Sequence, residues 1–232
     1  MIFCTLCYGD YFAKKYSSDI NKISENHSIY VYTNKPEYFK SSCNIIEYKR
    51  KDFSYFEKMV LIFNVMDKCK ERVTYFDSDS IDTDQVQSML NGTTRKFEDE
   101  TLYTYKIWNN VGFPIKVISR NPSLVVLMKV YKELGFEHII CDYTHERILS
   151  VPYIPNKFER LKESVLSVQS IWEENWPKGK KWEGYPADET GTHENNKWSQ
   201  YGCGYGEGGA LSMYASQLGI KLGRIYSVNK LI

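Results

Sequence analysis

Two aspartates one residue apart, Asp77 and Asp79, follow directly on the apolar run Val73-Thr74-Tyr75-Phe76. Carboxylate oxygens are hard donors. Two of them at one strand exit, with coordination positions left over, suit a divalent cation shared with a diphosphate. Such an ion neutralises charge that builds on a departing nucleoside diphosphate. A D-x-D is short enough to arise by chance, so its position after a buried strand is what makes it specific. Solvated turn carboxylates are the plain alternative.

The later part of the chain holds a second group of candidates. Glycine-rich Tyr201–Ala210 precedes a helical pattern and contains Glu207. Glycines let backbone N–H groups approach a ligand, and a carboxylate in a first helical turn gains from the helix dipole. A base beside an acceptor hydroxyl is the functional version of the same residue. Asp188 and Glu189 are a further acidic candidate, with a solvated turn as the competing reading. Trp182, Tyr185 and Trp198 suit stacking on sugar or base faces, or pinning a loop to the core. Lys178-Gly179-Lys180-Lys181 is a small basic cluster that reads as a solvated turn or a phosphate contact.

The elements that must position these groups follow from periodicity. Ile2 to Leu6 reads as a buried strand opening into Tyr8-Gly9-Asp10. Phe12, Tyr16, Ile20 and Ile23 recur at helical spacing. Strands are expected at Ile29 to Thr33, Cys43 to Tyr48 and Val73 to Phe76, with a helix from about Tyr55 to Lys70 presenting Phe56, Met59, Val60 and Phe63. This alternation predicts a mostly parallel sheet flanked by helices, in which ligands sit beyond the carboxyl ends of the strands. That rule gathers Tyr8-Gly9-Asp10, Thr33-Asn34 and Asp77-Ser78-Asp79 on one rim.

Beyond residue 90 the pattern is mixed. Strands are expected at Leu102 to Ile107, Ile115 to Ser119 and Ile139 to Asp142, and a helix capped by Asn121 ends before Gly135. A long helix is expected over Phe158 to Asn175 and another from about Gly206 to Leu218, before a last strand near Leu222 to Val228. Between them, Trp176 to Tyr205 shows no period, and long aperiodic segments in compact domains are more often functional than accidental. The chain is read as a single α/β domain, residues 1–232, with a nucleotide-binding half (1–90) and an acceptor-side half (91–232).

Bulk composition constrains the partners. The 232 residues carry a formal net charge of +1, with 42% apolar and 25% charged residues. A chain without excess positive charge is not dedicated to polyanions, which lowers nucleic acid among possible substrates. Aromatic residues reach 15%, including 19 Tyr, a composition that suits ligands with flat apolar faces and polar edges. Cysteines 4, 7, 43, 69, 141 and 203 are read as reduced thiols, since Cys4-x-x-Cys7 sits inside a strand and lacks a second ligand pair. No signal peptide and no membrane-length apolar run is found, so a soluble, cytoplasmic protein is expected.

The same residues allow other readings of the carboxylate pair. An EF-hand loop needs an oxygen ligand, glycine and glutamate where Ile81, Asp82 and Ser88 stand, so it fails. A phosphatase of the haloacid dehalogenase class would use Asp77 as nucleophile, with Ile81 in place of the usual Thr or Val. Its motif normally lies near the chain start, and no later strand ends in paired aspartates. A nucleotide-binding module without chemistry also stays open, although neither G-x-G-x-x-G nor a Walker loop occurs.

Four stretches, IFCTLCYGDYF, HSIYVYTNKPEYF, EKMVLIFNVMDKC and RVTYFDSDS, resemble the nucleotide-sugar half of GT-A glycosyltransferases, especially glycogenin- and galactosyltransferase-like members. The resemblance covers the first ninety residues well and the remainder in outline. It implies a GT-A-like (Rossmann-like) fold and a metal-dependent glycosyltransferase, moving a hexosyl or pentosyl group from a nucleotide-sugar, expected to be UDP-linked, to an unidentified acceptor. Thr5 and Tyr8 would border the base or ribose, Thr33 and Asn34 would close the base pocket, and Lys58 would approach ribose or phosphates. Asp77 would contact ribose or a metal-bound water, and Asp79 would ligate Mn²⁺ or Mg²⁺. Several relatives add a histidine ligand from a Lys-Pro-Trp motif. That motif is absent from this sequence, and His193 is the candidate substitute. Glycan, protein, metabolite and, less readily, a modified nucleic-acid base are the acceptor classes left open.

Overall fold

A computed structural model describes residues 1–49, 57–104, 112–114, 138–140, 148–175 and 207–225. Its first part alternates strand and helix: β1 (Ile2–Leu6), α1 (Asp10–Ile23), β2 (Ser28–Thr33), β3 (Asn44–Glu47), α2 (Glu57–Cys69), β4 (Val73–Phe76) and α3 (Asp84–Leu90). There follow β5 (Thr101–Thr104), β6 (Gly112–Pro114), β7 (His138–Ile140), β8 (Ile148–Val151), α4 (Pro155–Asn175), α5 (Glu207–Gln217) and β9 (Lys221–Arg224).

Seven strands form one sheet in the order β3-β2-β1-β4-β8-β5-β9, and β6 pairs with β7 separately. The β3-β2-β1-β4 half is parallel throughout. Only β8 runs the other way, antiparallel to both β4 and β5, and β9 is parallel to β5. Crossing β8 therefore reverses direction twice, so β5 and β9 point the same way as β4. The fold is mixed α/β and Rossmann-like, and the carboxyl ends of six strands share one rim.

The strand period of two sorts the core into two layers. Cys4 and Leu6 of β1 join Tyr30, Tyr32, Tyr75 and the α2 residues Met59, Ile62, Phe63 and Met66 on one face, where α4 and α5 also pack. Phe3 and Cys7 join Ile29, Val31, Phe76 and the α1 residues Phe12, Ala13 and Ile20 on the other. Cys4 and Cys7 thus point to opposite faces of the sheet, too far apart in direction to act as a thiol pair. Burial pushes the Cys7 thiol up to about 12, its hydrogen bond with Ser78 pulling the other way, and pushes Cys4 up as well.

Expected and observed elements agree closely through β4. The short helix α3 after β4 and the strand β8 in the second part have no counterpart among the expected elements, and α4 starts at Pro155, three positions before the expected Phe158. Proline fits a first helical position because its missing N–H has no intrahelical partner there. The strand expected to reach Ile107 is described only to Thr104, and that expected at Leu222 to Val228 is seen as Lys221–Arg224. The expected strand at Ile115 to Ser119 and the helix after Asn121 lie outside the described residues. Among the described residues, no helix is long and apolar enough to cross a membrane.

Candidate functional site

The rim is built by the chain leaving β1, β2 and β4. Gly9, at the N-terminus of α1, has φ of 85°, a conformation that glycine adopts without the strain of a Cβ. Its N–H donates to Asn34 Oδ1 at 2.8 Å, which ties the exit of β1 to that of β2. Thr33 is buried, and its Oγ1 accepts from the Lys35 N–H at 3.0 Å. Thr5 is fully buried on β1, and its hydroxyl has no hydrogen-bond partner among the described residues.

Three tyrosines line the same edge. The Tyr8 ring lies 4.9 Å from that of Tyr48, which lies 4.8 Å from Tyr32. Tyr48 directly follows β3 and is held by its N–H donating to Thr33 O at 2.7 Å. Tyr8 is half-buried while Tyr32 and Tyr48 are buried, so Tyr8 presents the accessible ring of the row. Aromatic rows of this kind suit a flat ligand face.

Asp77 leaves β4 in extended conformation, and Ser78–Ser80 form a 3-10 turn closed by the Ser80 N–H donating to Asp77 O at 2.8 Å. Ser78 is buried against Cys7, whereas Asp79 is half-buried and accepts from Ser80 Oγ at 3.4 Å. The turn packs against α1, and Tyr16 lies within electrostatic reach of Asp79. The Tyr16 phenol is pushed up, chiefly by burial and to a smaller extent by Asp79, with Lys15 acting in the opposite sense.

Lys58 and Asp77 meet: Nζ lies 3.5 Å from Oδ1, with the side chains 7% and 28% exposed. Tyr75 donates its hydroxyl to the same Oδ1 at 2.6 Å, and its ring lies 5.2 Å beneath the Lys58 ammonium. The neighbouring Glu57 is buried, accepting from Tyr32 OH at 3.0 Å and from Gln169 Nε2 at 3.4 Å. The first turn of α2 therefore carries a carboxylate and an ammonium, each with hydrogen-bonding or charged company, as burial of charge demands.

The rim continues onto the second part of the chain. Because β8 runs away from it, α4 climbs back toward it, which brings Gln169 to Glu57. The α5 helix packs on β9 and ends three residues before it, with Glu207 as its first residue. Asp188, Glu189, His193, Trp182, Tyr185 and Trp198 lie outside the described residues. Among the described residues, no group of three or more His, Cys, Asp or Glu side chains is arranged to hold a metal. The donor set the turn offers is the oxygen pair of Asp77 and Asp79. It would suit a hard divalent cation, with phosphate and water to complete the coordination.

Sequence reading did not single out Tyr48, Tyr32, Tyr75 or Glu57 as site residues. For Tyr75 a signal existed: position 75 lies two before Asp77, on the same side of the strand. No protein-family model matches the chain, and a search of curated proteins finds no match.

Proposed function

We propose that this protein is a GT-A-type glycosyltransferase that moves a sugar from a nucleotide-sugar donor to an acceptor hydroxyl with a divalent cation, Mn²⁺ or Mg²⁺. The observation that carries the reading is Asp77 and Asp79 on the rim of a Rossmann-like sheet, beside a row of tyrosines and a buried lysine. In this reading Tyr8 takes the base of a UDP-linked donor, Asp79 with Asp77 holds the cation, and Lys58 stands beside the phosphates. The cation, when bound, neutralises charge on the departing diphosphate. Glu207 is assigned to the acceptor side, where a carboxylate would orient or deprotonate the attacking hydroxyl.

Thermal unfolding with UDP and Mn²⁺ tests this assignment. The pair of ligands should raise the melting temperature by mass action, and Asp79→Asn should abolish the gain. An equal gain in the variant would sink the cation site. Slow release of free sugar from a UDP-sugar, without hydrolysis of a generic phosphomonoester, is the expected turnover. The reverse pattern would favour a phosphatase using Asp77 as nucleophile, and stabilisation with neither turnover would indicate a binding module.

A further inference from the structure

Tyr75 is 1% exposed and sits on a central strand, paired through its backbone with Cys4 on β1 and Leu149 on β8. Strand pairing on both sides fixes its backbone, and a ring packed in the core moves little. A phenylalanine would fill the same apolar space. What the hydroxyl adds is a 2.6 Å hydrogen bond to Asp77 Oδ1, an oxygen that also faces the Lys58 ammonium at 3.5 Å. Hydrogen bonds from a hydroxyl to an ionised carboxylate are short and strong.

The terminal torsion of an aspartate is broad. A carboxylate on a turn needs outside donors to hold one orientation, and groups behind a metal-binding carboxylate serve this purpose. Here the Tyr75 ring supports Lys58 from below while its hydroxyl grips Asp77. One rigid side chain thereby orients both charged partners.

We propose that Tyr75 is a positioning residue for the carboxylate pair: through Asp77 it sets the geometry in which Asp77 and Asp79 grip a divalent cation bridged to a nucleoside diphosphate. This rests on the reading of the site given above. Tyr75 touches neither donor nor cation, and acts by fixing the carboxylate that does.

The full chain, the Tyr75→Phe variant and a Tyr30→Phe control are melted at saturating UDP over a series of Mn²⁺ concentrations. Tyr30 sits on the same sheet face but bonds Cys69 at 3.3 Å, so it reports the generic loss of a tyrosine hydroxyl. Removing an outer partner of a metal ligand costs about 10- to 100-fold in metal affinity. The Mn²⁺ midpoint should therefore rise at least about tenfold for Tyr75→Phe and stay in place for Tyr30→Phe. A Tyr75→Phe variant whose midpoint matches the wild type, whatever its melting temperature without ligand, overturns the positioning role and leaves the cation site standing. A wild type that UDP and Mn²⁺ do not stabilise removes the site and the role together.

Discussion

Lys58 Nζ lies 3.5 Å from Asp77 Oδ1, with the lysine almost wholly out of solvent and the aspartate partly in it. An ammonium so enclosed is costly unless an anion faces it, and the Coulomb term is stronger there than in water. The pair also explains why the rim is not simply acidic. At the exit of β4 one of its two carboxylates already faces a cation from α2, so the two carboxylates and one ammonium leave one negative charge uncancelled.

Breaking this pair from either side has a defined consequence. Lys58→Met takes the ammonium away from Asp77, and Asp77→Asn takes a facing anion away from a buried lysine. Breaking a fully buried pair costs more, but Asp77 reaches solvent, so about 2 kcal/mol is expected for each single change. The double variant should recover part of that loss, since neither charge then stands alone. Urea unfolding of the four proteins checks this, and strictly additive losses would show that the two charges do not act on each other.

Glu57 ties the two parts of the chain together. It accepts from Tyr32 on β2 and from Gln169 on α4, a contact spanning 112 positions of sequence. Glu57→Leu should remove the carboxylate that accepts from Tyr32 and Gln169 and loosen α4, with a loss of about 1–3 kcal/mol for the buried hydrogen bonds removed. Hydrogen exchange should then quicken in the last turns of α4 and leave α1 unchanged. Uniform quickening over both helices would mean that Glu57 contributes only to global stability.

These contacts show what could be read from the sequence and what could not. Ile2–Leu6, Ser28–Thr33 and Val73–Phe76 are apolar or β-branched runs bounded by polar residues, and the helices between them carry a clear apolar stripe, so local pattern sufficed. The rim followed, because a parallel sheet puts its strand exits together. Glu57 and Lys58 are different. In sequence they are an ordinary charged first helical turn, and their burial depends on partners far along the chain, among them positions 32, 77 and 169. Ile148–Val151 is a four-residue run whose strand character comes from β4 and β5 on either side. Short strands held by non-local pairing leave little local signal.

The high-pH limit of stability draws on the buried thiols of Cys4 and Cys7 and on Tyr30. Burial pushes the Cys7 thiol from 9.0 up to about 12. The hydrogen bond with Cys69, followed by burial, raises Tyr30 from 10.0 to about 12. In both the folded-state value is raised, so the folded protein holds more protons than the unfolded chain between the two values. Their contribution is complete below pH 9.0 and is lost as pH rises toward about 12. Urea midpoints should be level up to about pH 9.0 and fall from there toward about 12. Cys7→Ala should make the onset shallower, with Cys4 supplying the remainder, and Tyr30→Phe should make the part above 10.0 shallower. A midpoint that stays level across the window contradicts both assignments.

At the far edge of the sheet, Gly223 on β9 lies beneath the ring of Tyr103 on β5. A Cβ built at position 223 would come within 2.6 Å of Tyr103 Cε1, 2.8 Å of Cδ1 and 2.9 Å of Thr101 Cγ2. Real Cβ contacts do not come that close, so the ring must move. It is not free to do so cheaply: Tyr103 stacks on Phe97 at 4.7 Å, its hydroxyl accepts from the Glu98 N–H at 3.0 Å, and the Arg72 guanidinium lies over both rings. Arg72 in turn donates to the carbonyl oxygens of Thr101 and Ser150. Gly223→Ala should therefore cost about 1–3 kcal/mol, the range for forcing a methyl against a side chain that is held in place. Tyr103→Leu should also destabilise, by removing the stacked ring. Combined with Gly223→Ala it should cost less than the sum, because the Cβ then has room. Additive losses in urea unfolding would show that the ring and the glycine do not share this space.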